Sequence, residues 1–151
     1  MENYMKLEIA ALGQNESFAR SAVAAFALCL SPTLSELSDI KTAVSEAVTN
    51  SIVHAYKEKS GKITIECWVE KQIDGGVLHI TVADSGMGIE NTEQAVLPFF
   101  TTSEGEERSG MGFTIMQTFM DGFSLRSSLG KGTRVAMTKR ITGESRERLD
   151  A

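Results

Sequence analysis

Four short stretches of this chain combine residue types that do chemistry. The first is Asp84-Ser85-Gly86-Met87-Gly88, which follows the apolar run Val77–Ala83. A strand that delivers a carboxylate to a backbone with two glycines one residue apart has the makings of a ligand site. The second is Glu46 and Asn50, with His54 one turn further on. At helical spacing these three fall within roughly 80° of one another. Ile40, Val44, Val48 and Ile52 fall on the opposite side and read as core. Ala43 and Ala47 flank the polar stripe, so little bulk shields it, and the stripe lacks Lys and Arg. Asn is a mediocre helix former. A hard oxygen ligand for Mg²⁺ is a reason to place one mid-helix. A carboxylate one turn away suits a general base. His54, near the helix end, reads as a packing or capping residue.

The third stretch is Arg108-Ser109-Gly110-Met111-Gly112-Phe113, opening a helix. Backbone N–H groups at a helix N-terminus bind anions, and glycines admit a phosphate closely. Arg108 can add a charge-assisted contact to a terminal phosphate. The chain has neither the G-x-x-x-x-G-K-[ST] of a P-loop nor the G-x-G-x-x-G of a dinucleotide fold. The fourth stretch is Gly132-Thr133, in a hairpin near the end of the chain. Between the two glycine clusters, Leu97 to Glu107 is long for a structureless loop, as lids are.

The elements that must position these residues can be read from periodicity. Met5, Leu7 and Ile9 alternate with charged residues and predict a half-buried strand. A helix is expected from about Glu16 to Leu30, capped by Asn15, with Phe18, Val23, Phe26 and Leu30 as its apolar stripe. Ser31-Pro32 ends it. Thr33 with Glu36 makes a capping box for a second helix reaching about Tyr56. Ile63 to Val69 alternate as a strand, Asp74-Gly75-Gly76 is a hairpin turn, and the next strand ends at Asp84. A short helix fits Thr92 to Leu97, and another starts near Gly112. A second hairpin follows, Phe123 to Leu129 and Thr133 to Lys139. Strands with helices on one face predict an α+β, two-layer α/β sandwich. Residues 1–140 read as one domain and residues 141–151 as a charged tail.

Bulk properties set the class. A chain of 151 residues with 42% hydrophobic content can bury a core. A net charge of −5 argues against a large nucleic-acid footprint. The apolar stretch Ala22–Leu30 is too short to span a bilayer. Cys29 and Cys67 sit in apolar segments as free thiols, which fits a reducing cytoplasm.

Taken in order, these features resemble the GHKL (Bergerat-fold) ATP-binding superfamily over nearly the whole chain. The resemblance implies a mixed, mostly antiparallel sheet. It implies Glu46 as catalytic base and Asn50 as Mg²⁺ ligand. Asp84 would accept from the adenine amino group, with Gly86 and Gly88 clearing room for the ring. Thr133 would support adenine through water, and Ser109, Gly110, Gly112 and Phe113 would surround the phosphates. Within the superfamily the chain resembles the anti-sigma-factor serine kinases. The residues that carry this are Asn15–Arg20, Glu46–Asn50, Phe100–Thr102 and Glu107–Met116. They favour the sporulation anti-sigma F branch over the general-stress anti-sigma B branch.

That resemblance implies a homodimer binding ATP or ADP with Mg²⁺. It would hold a sigma factor and phosphorylate a serine of an anti-anti-sigma factor. Arg20 would be a partner contact, and the first strand and helix the dimer region. Ala55, where Gly is frequent, and Ser85, where an acid is common, depart from the pattern. An ATPase without a protein substrate and a pure nucleotide-binding module are the rival readings, and Glu46 disfavours the second.

Overall fold

A computed structural model describes residues 2–56, 61–96 and 111–143. The order is β1 (Tyr4–Ala10), α1 (Asn15–Ala27), a 3₁₀ turn (Leu28–Leu30), α2 (Leu34–Asn50), a π-helical turn (Ser51–Ala55), β2 (Lys62–Lys71) and β3 (Gly76–Asp84). There follow α3 (Thr92–Ala95), α4 (Gly112–Phe119), β4 (Gly122–Ser128) and β5 (Gly132–Ile141). One sheet holds all five strands in the order β1-β2-β3-β5-β4. Every ladder among them is antiparallel, so the parallel pairing of a mixed sheet does not occur in the described strands.

The strand alternation decides which face is covered. Ile63, Ile65 and Cys67 of β2, Leu78 and Ile80 of β3, and Met137 of β5 point to one side and are buried. The same core takes Val23 and Ala27 from α1, Ile40, Val44 and Val48 from α2, and Met116 from α4. Each fully buried aliphatic side chain contributes about 1.5–3 kcal/mol. On the opposite face Trp68 stacks on His79, with ring centroids 5.0 Å apart and planes 5° from parallel.

Helix α2 is fixed at both ends of its first turns. Thr33 and Glu36 form the capping box. The second oxygen of the Glu36 carboxylate accepts from the backbone N–H of Thr142 at 2.9 Å, which ties α2 to the end of β5. Lys139 of β5 donates to Asp39 of α2 at 3.0 Å and to the Phe119 carbonyl, at the end of α4, at 2.7 Å. One ammonium thus joins two helices to the sheet and caps the negative end of α4. Asp39→Ala leaves that largely buried ammonium with the carbonyl alone. It is expected to lower stability by about 2 kcal/mol in urea unfolding.

Several expectations change in detail. Asn15 is not a cap. It is the first residue of α1, and its amide donates to the Ala10 carbonyl, bracing β1 against the helix. Phe18 is exposed, because the small side chains of Ala19, Val23, Ala24 and Ala27 form the buried stripe. Cys67 is buried but Cys29 only partly so. Burial pushes the Cys67 thiol up to about 12, so it stays protonated. Strand β5 runs on to Ile141, which is buried. Residues 144–151 lie outside the described residues, as does the segment 97–110. Among the described residues no helix is long and apolar enough to cross a membrane.

Candidate functional site

The end of β3, the end of α2 and the start of α4 meet around a cleft of about 290 Å³. Asn50, His54, Asp84, Gly88, Gly112, Phe113 and Thr133 line it. Its apolar walls are Ala47, Ala55, Met87, Ile89, Ala95, Leu129 and Val135. Most residues singled out from sequence therefore converge, from α2, the π-helical turn, β3, α4 and β5.

Asp84 is the polar anchor of this cleft. Its Oδ2 accepts from the Ser51 hydroxyl at 2.8 Å, and its Oδ1 accepts from the Gly86 N–H at 3.0 Å. Burial pushes its carboxyl above the ordinary value of 3.8, and hydrogen bonds from Gly86, Ser51 and Thr133 pull it partway back. Thr133 is opposite Asp84 in the β3–β5 ladder, which places its side chain beside the carboxylate. The Thr133 hydroxyl is 2.8 Å from the Ser127 hydroxyl.

Ser51 was not singled out from sequence. It is a small polar residue directly after Asn50, buried on the side that reads as core. A π-helical turn begins at this residue. Sequence periodicity predicts an α-helix to Tyr56, but α2 ends at Asn50 and a wider turn follows. Such turns are rare and concentrate at functional sites. Ser51 itself keeps α-helical dihedrals and donates its N–H to the Ala47 carbonyl, so its place on the core side of the helix brings it to Asp84, while His54, within the turn, borders the cleft.

Packing gives the two glycines of Asp84-Ser85-Gly86-Met87-Gly88 a requirement beyond the one expected. A Cβ on Gly86 would overlap the backbone oxygen of Ala55. Gly88 has φ +77°, and a Cβ there would overlap the backbone oxygen of Ser128. Close packing of the loop on the protein itself therefore already requires both. Met87 completes the fastening: its N–H donates to the Ala55 carbonyl at 2.9 Å, and its carbonyl accepts from Gly130 at 2.6 Å.

Gly112 opens α4 directly against α2. A Cβ there would stand 2.9 Å from the Asn50 amide nitrogen, 3.1 Å from its oxygen and 3.3 Å from a Glu46 carboxylate oxygen. The absent side chain leaves a cradle in which an amide oxygen, a carboxylate and a helix N-terminus converge. Glu46 borders this cradle rather than the wider cleft. Among the described residues no group of three His, Cys, Asp or Glu could hold a metal by itself. A hard oxygen from Asn50 fits Mg²⁺ that takes its other ligands from nucleotide phosphates and water.

Arg20 lies on α1, partly exposed, 3.7 Å from Glu16 one turn earlier. Arg108, Ser109 and Gly110 lie outside the described residues.

Residues 9–139 match the family model described as a histidine kinase-like ATPase domain. The chain is 56% identical over 139 residues to the anti-sigma F factor of Thermoanaerobacter sp. (strain X514), covering 92% of this chain and 94% of that protein. It is 51% identical over 142 residues to that of Geobacillus sp. (strain WCH70), covering 94% and 95%. This chain belongs to the anti-sigma F factor family. Its GHKL-type fold is shared with the solved RsbU and RsbW domains of Rv1364c from Mycobacterium tuberculosis. There the TM-score is 0.65 at 17% identity, over 92% of this chain and 32% of that one. The histidine kinase-like ATPase domain implies nucleotide binding, and this family member has one cleft that joins Asp84 to the Asn50 cradle.

Gly112→Ala tests the cradle. Alanine suits a helix better than glycine, so the melting temperature is expected to hold within a few degrees. The added methyl displaces the Asn50 amide, and Mg-nucleotide affinity is expected to fall about tenfold in calorimetry, a cost of about 1.4 kcal/mol.

Proposed function

We propose that this chain is an anti-sigma factor and an ATP-dependent protein serine kinase. It holds the sporulation sigma factor, sigma F, away from core RNA polymerase. It also transfers the γ-phosphoryl group of ATP to a serine of an anti-anti-sigma factor, inactivating that partner. The observation that carries this reading is the convergence of Glu46, Asn50 and the α4 N-terminus on one cradle. The naming of relatives at 51–56% identity as anti-sigma F factors supports the partner class.

Each side chain has one task. Asp84 accepts from the adenine amino group, and Ser51 and Gly86 keep its oxygens in place. Thr133 supports the base through water. Asn50 would hold Mg²⁺, which would supply charge neutralisation at the phosphates. The α4 N-terminus, with Gly112 and Phe113, faces the phosphates. Ser109, Gly110 and Arg108, from the adjoining segment, complete that contact and offset charge on the transferring group. Glu46 takes the proton of the partner's serine hydroxyl as that oxygen attacks the γ-phosphorus. The bond to the bridging oxygen breaks and ADP leaves.

The active assembly is a cytoplasmic homodimer that needs neither nucleic acid nor a membrane. Exposed Tyr4, Leu12 and Phe18 supply apolar surface in the region of the first strand and helix. Arg20 contacts the partner. The ATP-binding unit is one domain followed by a charged tail.

The test is incubation with γ-³²P-labelled ATP and an anti-anti-sigma factor. Label on a serine of the partner is the expected result. Free phosphate alone, with the partner present, would instead favour an ATPase without a protein substrate.

A further inference from the structure

The last rung of the β2–β3 ladder pairs Ile63 with Asp84. Lys62 and Ser85 stand where the next rung would form. A side chain occupies that place. The Tyr56 hydroxyl accepts from the Ser85 N–H at 2.8 Å and donates to the Lys62 carbonyl at 2.6 Å. One hydroxyl thus bridges the donor and acceptor that two strands would otherwise exchange directly.

Tyr56 is the residue immediately after the π-helical turn. Its ring lies against Gly61, where a Cβ would overlap it. Its neighbour Ala55 accepts from Met87, two residues beyond Ser85. The chain leaving Asp84 is therefore held at Ser85 by Tyr56, at Gly86 by the Asp84 carboxylate, and at Met87 by Ala55.

We propose that Tyr56 is a positioning residue for nucleotide selection: its hydroxyl, wedged between β2 and β3, ends β3 at Asp84 and aims that carboxylate into the cleft. This rests on the nucleotide reading of the site. Without the hydroxyl, Ser85 can donate directly to Lys62. The ladder then lengthens by one rung, and Asp84 rotates from its position between Ser51 and Gly86. A hydrogen bond that selects a base is sensitive to such a shift, whereas apolar contact with a ring is not.

The test is calorimetric titration of the full chain and of Tyr56→Phe with Mg-ADP and Mg-GDP, alongside nucleotide-free melting curves. Phenylalanine keeps the ring on Gly61. The nucleotide-free melting temperature is expected to stay within a few degrees. Mg-ADP affinity is expected to fall about tenfold, and the preference for ADP over GDP to narrow by a similar factor. Gly61→Ala keeps the hydroxyl but displaces the ring, and is expected to narrow the preference in the same direction. A native chain that selects ADP, beside a Tyr56→Phe chain with equal affinity and preference, overturns this inference alone. An equal loss for both nucleotides, with preference unchanged, makes the hydroxyl merely structural and overturns it too. A folded native chain that binds neither nucleotide overturns the nucleotide reading and this inference together.

Discussion

Asp84→Asn is expected to lower Mg-ADP affinity about 100-fold while leaving the nucleotide-free fold at least as stable. The loss corresponds to about 2.7 kcal/mol, within reach of one hydrogen bond to a charged group plus an unsatisfied partner. Asp84 accepts from Ser51, Gly86 and the Thr133 backbone, and a carboxylate has acceptor capacity for one more donor from the cleft. An amide has one oxygen and one NH₂ group. With its oxygen kept on the Gly86 N–H, the NH₂ donates to the Ser51 hydroxyl, which can turn to accept, and it then presents a donor rather than an acceptor to the adenine amine. Isothermal titration reads the affinity.

Stability moves differently because burial raises the Asp84 carboxyl above 3.8 in the fold. A raised carboxylate favours the protonated fold. Its contribution to stability is fully present below the ordinary value and is lost as pH rises through the raised one. Above that window the ionised carboxylate holds the nucleotide-free fold below the stability of a neutral isostere. The gain of Asp84→Asn over the native chain should therefore shrink as pH falls, which thermal melts at a series of pH values will read.

Glu46→Gln is expected to keep nucleotide binding and to lose phosphoryl transfer by roughly 10²–10⁴-fold, the usual weight of a general base. Glu46 borders the Gly112 cradle but not the adenine end of the cleft, so affinity for Mg-ADP should change little. Single-turnover transfer to the partner serine separates the two effects. Full transfer by the variant would clear Glu46 of this role.

The residues that converge here were legible in the sequence because their signals are local. Glu46 and Asn50 share a helix face by spacing alone, and Asp84 ends a run whose alternation marks a strand. Thr33 and Glu36 were legible as a cap for the same reason. What sequence missed depends on contacts made after folding. Ser51 meets Asp84 only once α2 has packed on β3, and the two are far apart in sequence. The packing of Gly86 and Gly88 against backbone atoms of Ala55 and Ser128 has no sequence signal, because those partners are distant along the chain. Phe18 reads as part of the apolar stripe of α1, but the residues of that helix that are buried are Ala19, Val23, Ala24 and Ala27. Tyr56 gave no sign of its bridging place, because the rung it replaces exists only once β2 and β3 have paired.

Binding of adenine nucleotide at Asp84 is the claim on which the rest depends. Its most direct test is calorimetric titration of the folded chain with Mg-ADP and Mg-ATP, with Mg-GTP as control. Micromolar, adenine-selective binding that disappears in Asp84→Asn is the predicted result. A folded chain that binds no nucleotide, or an Asp84→Asn chain that binds as tightly as the native one, would contradict it.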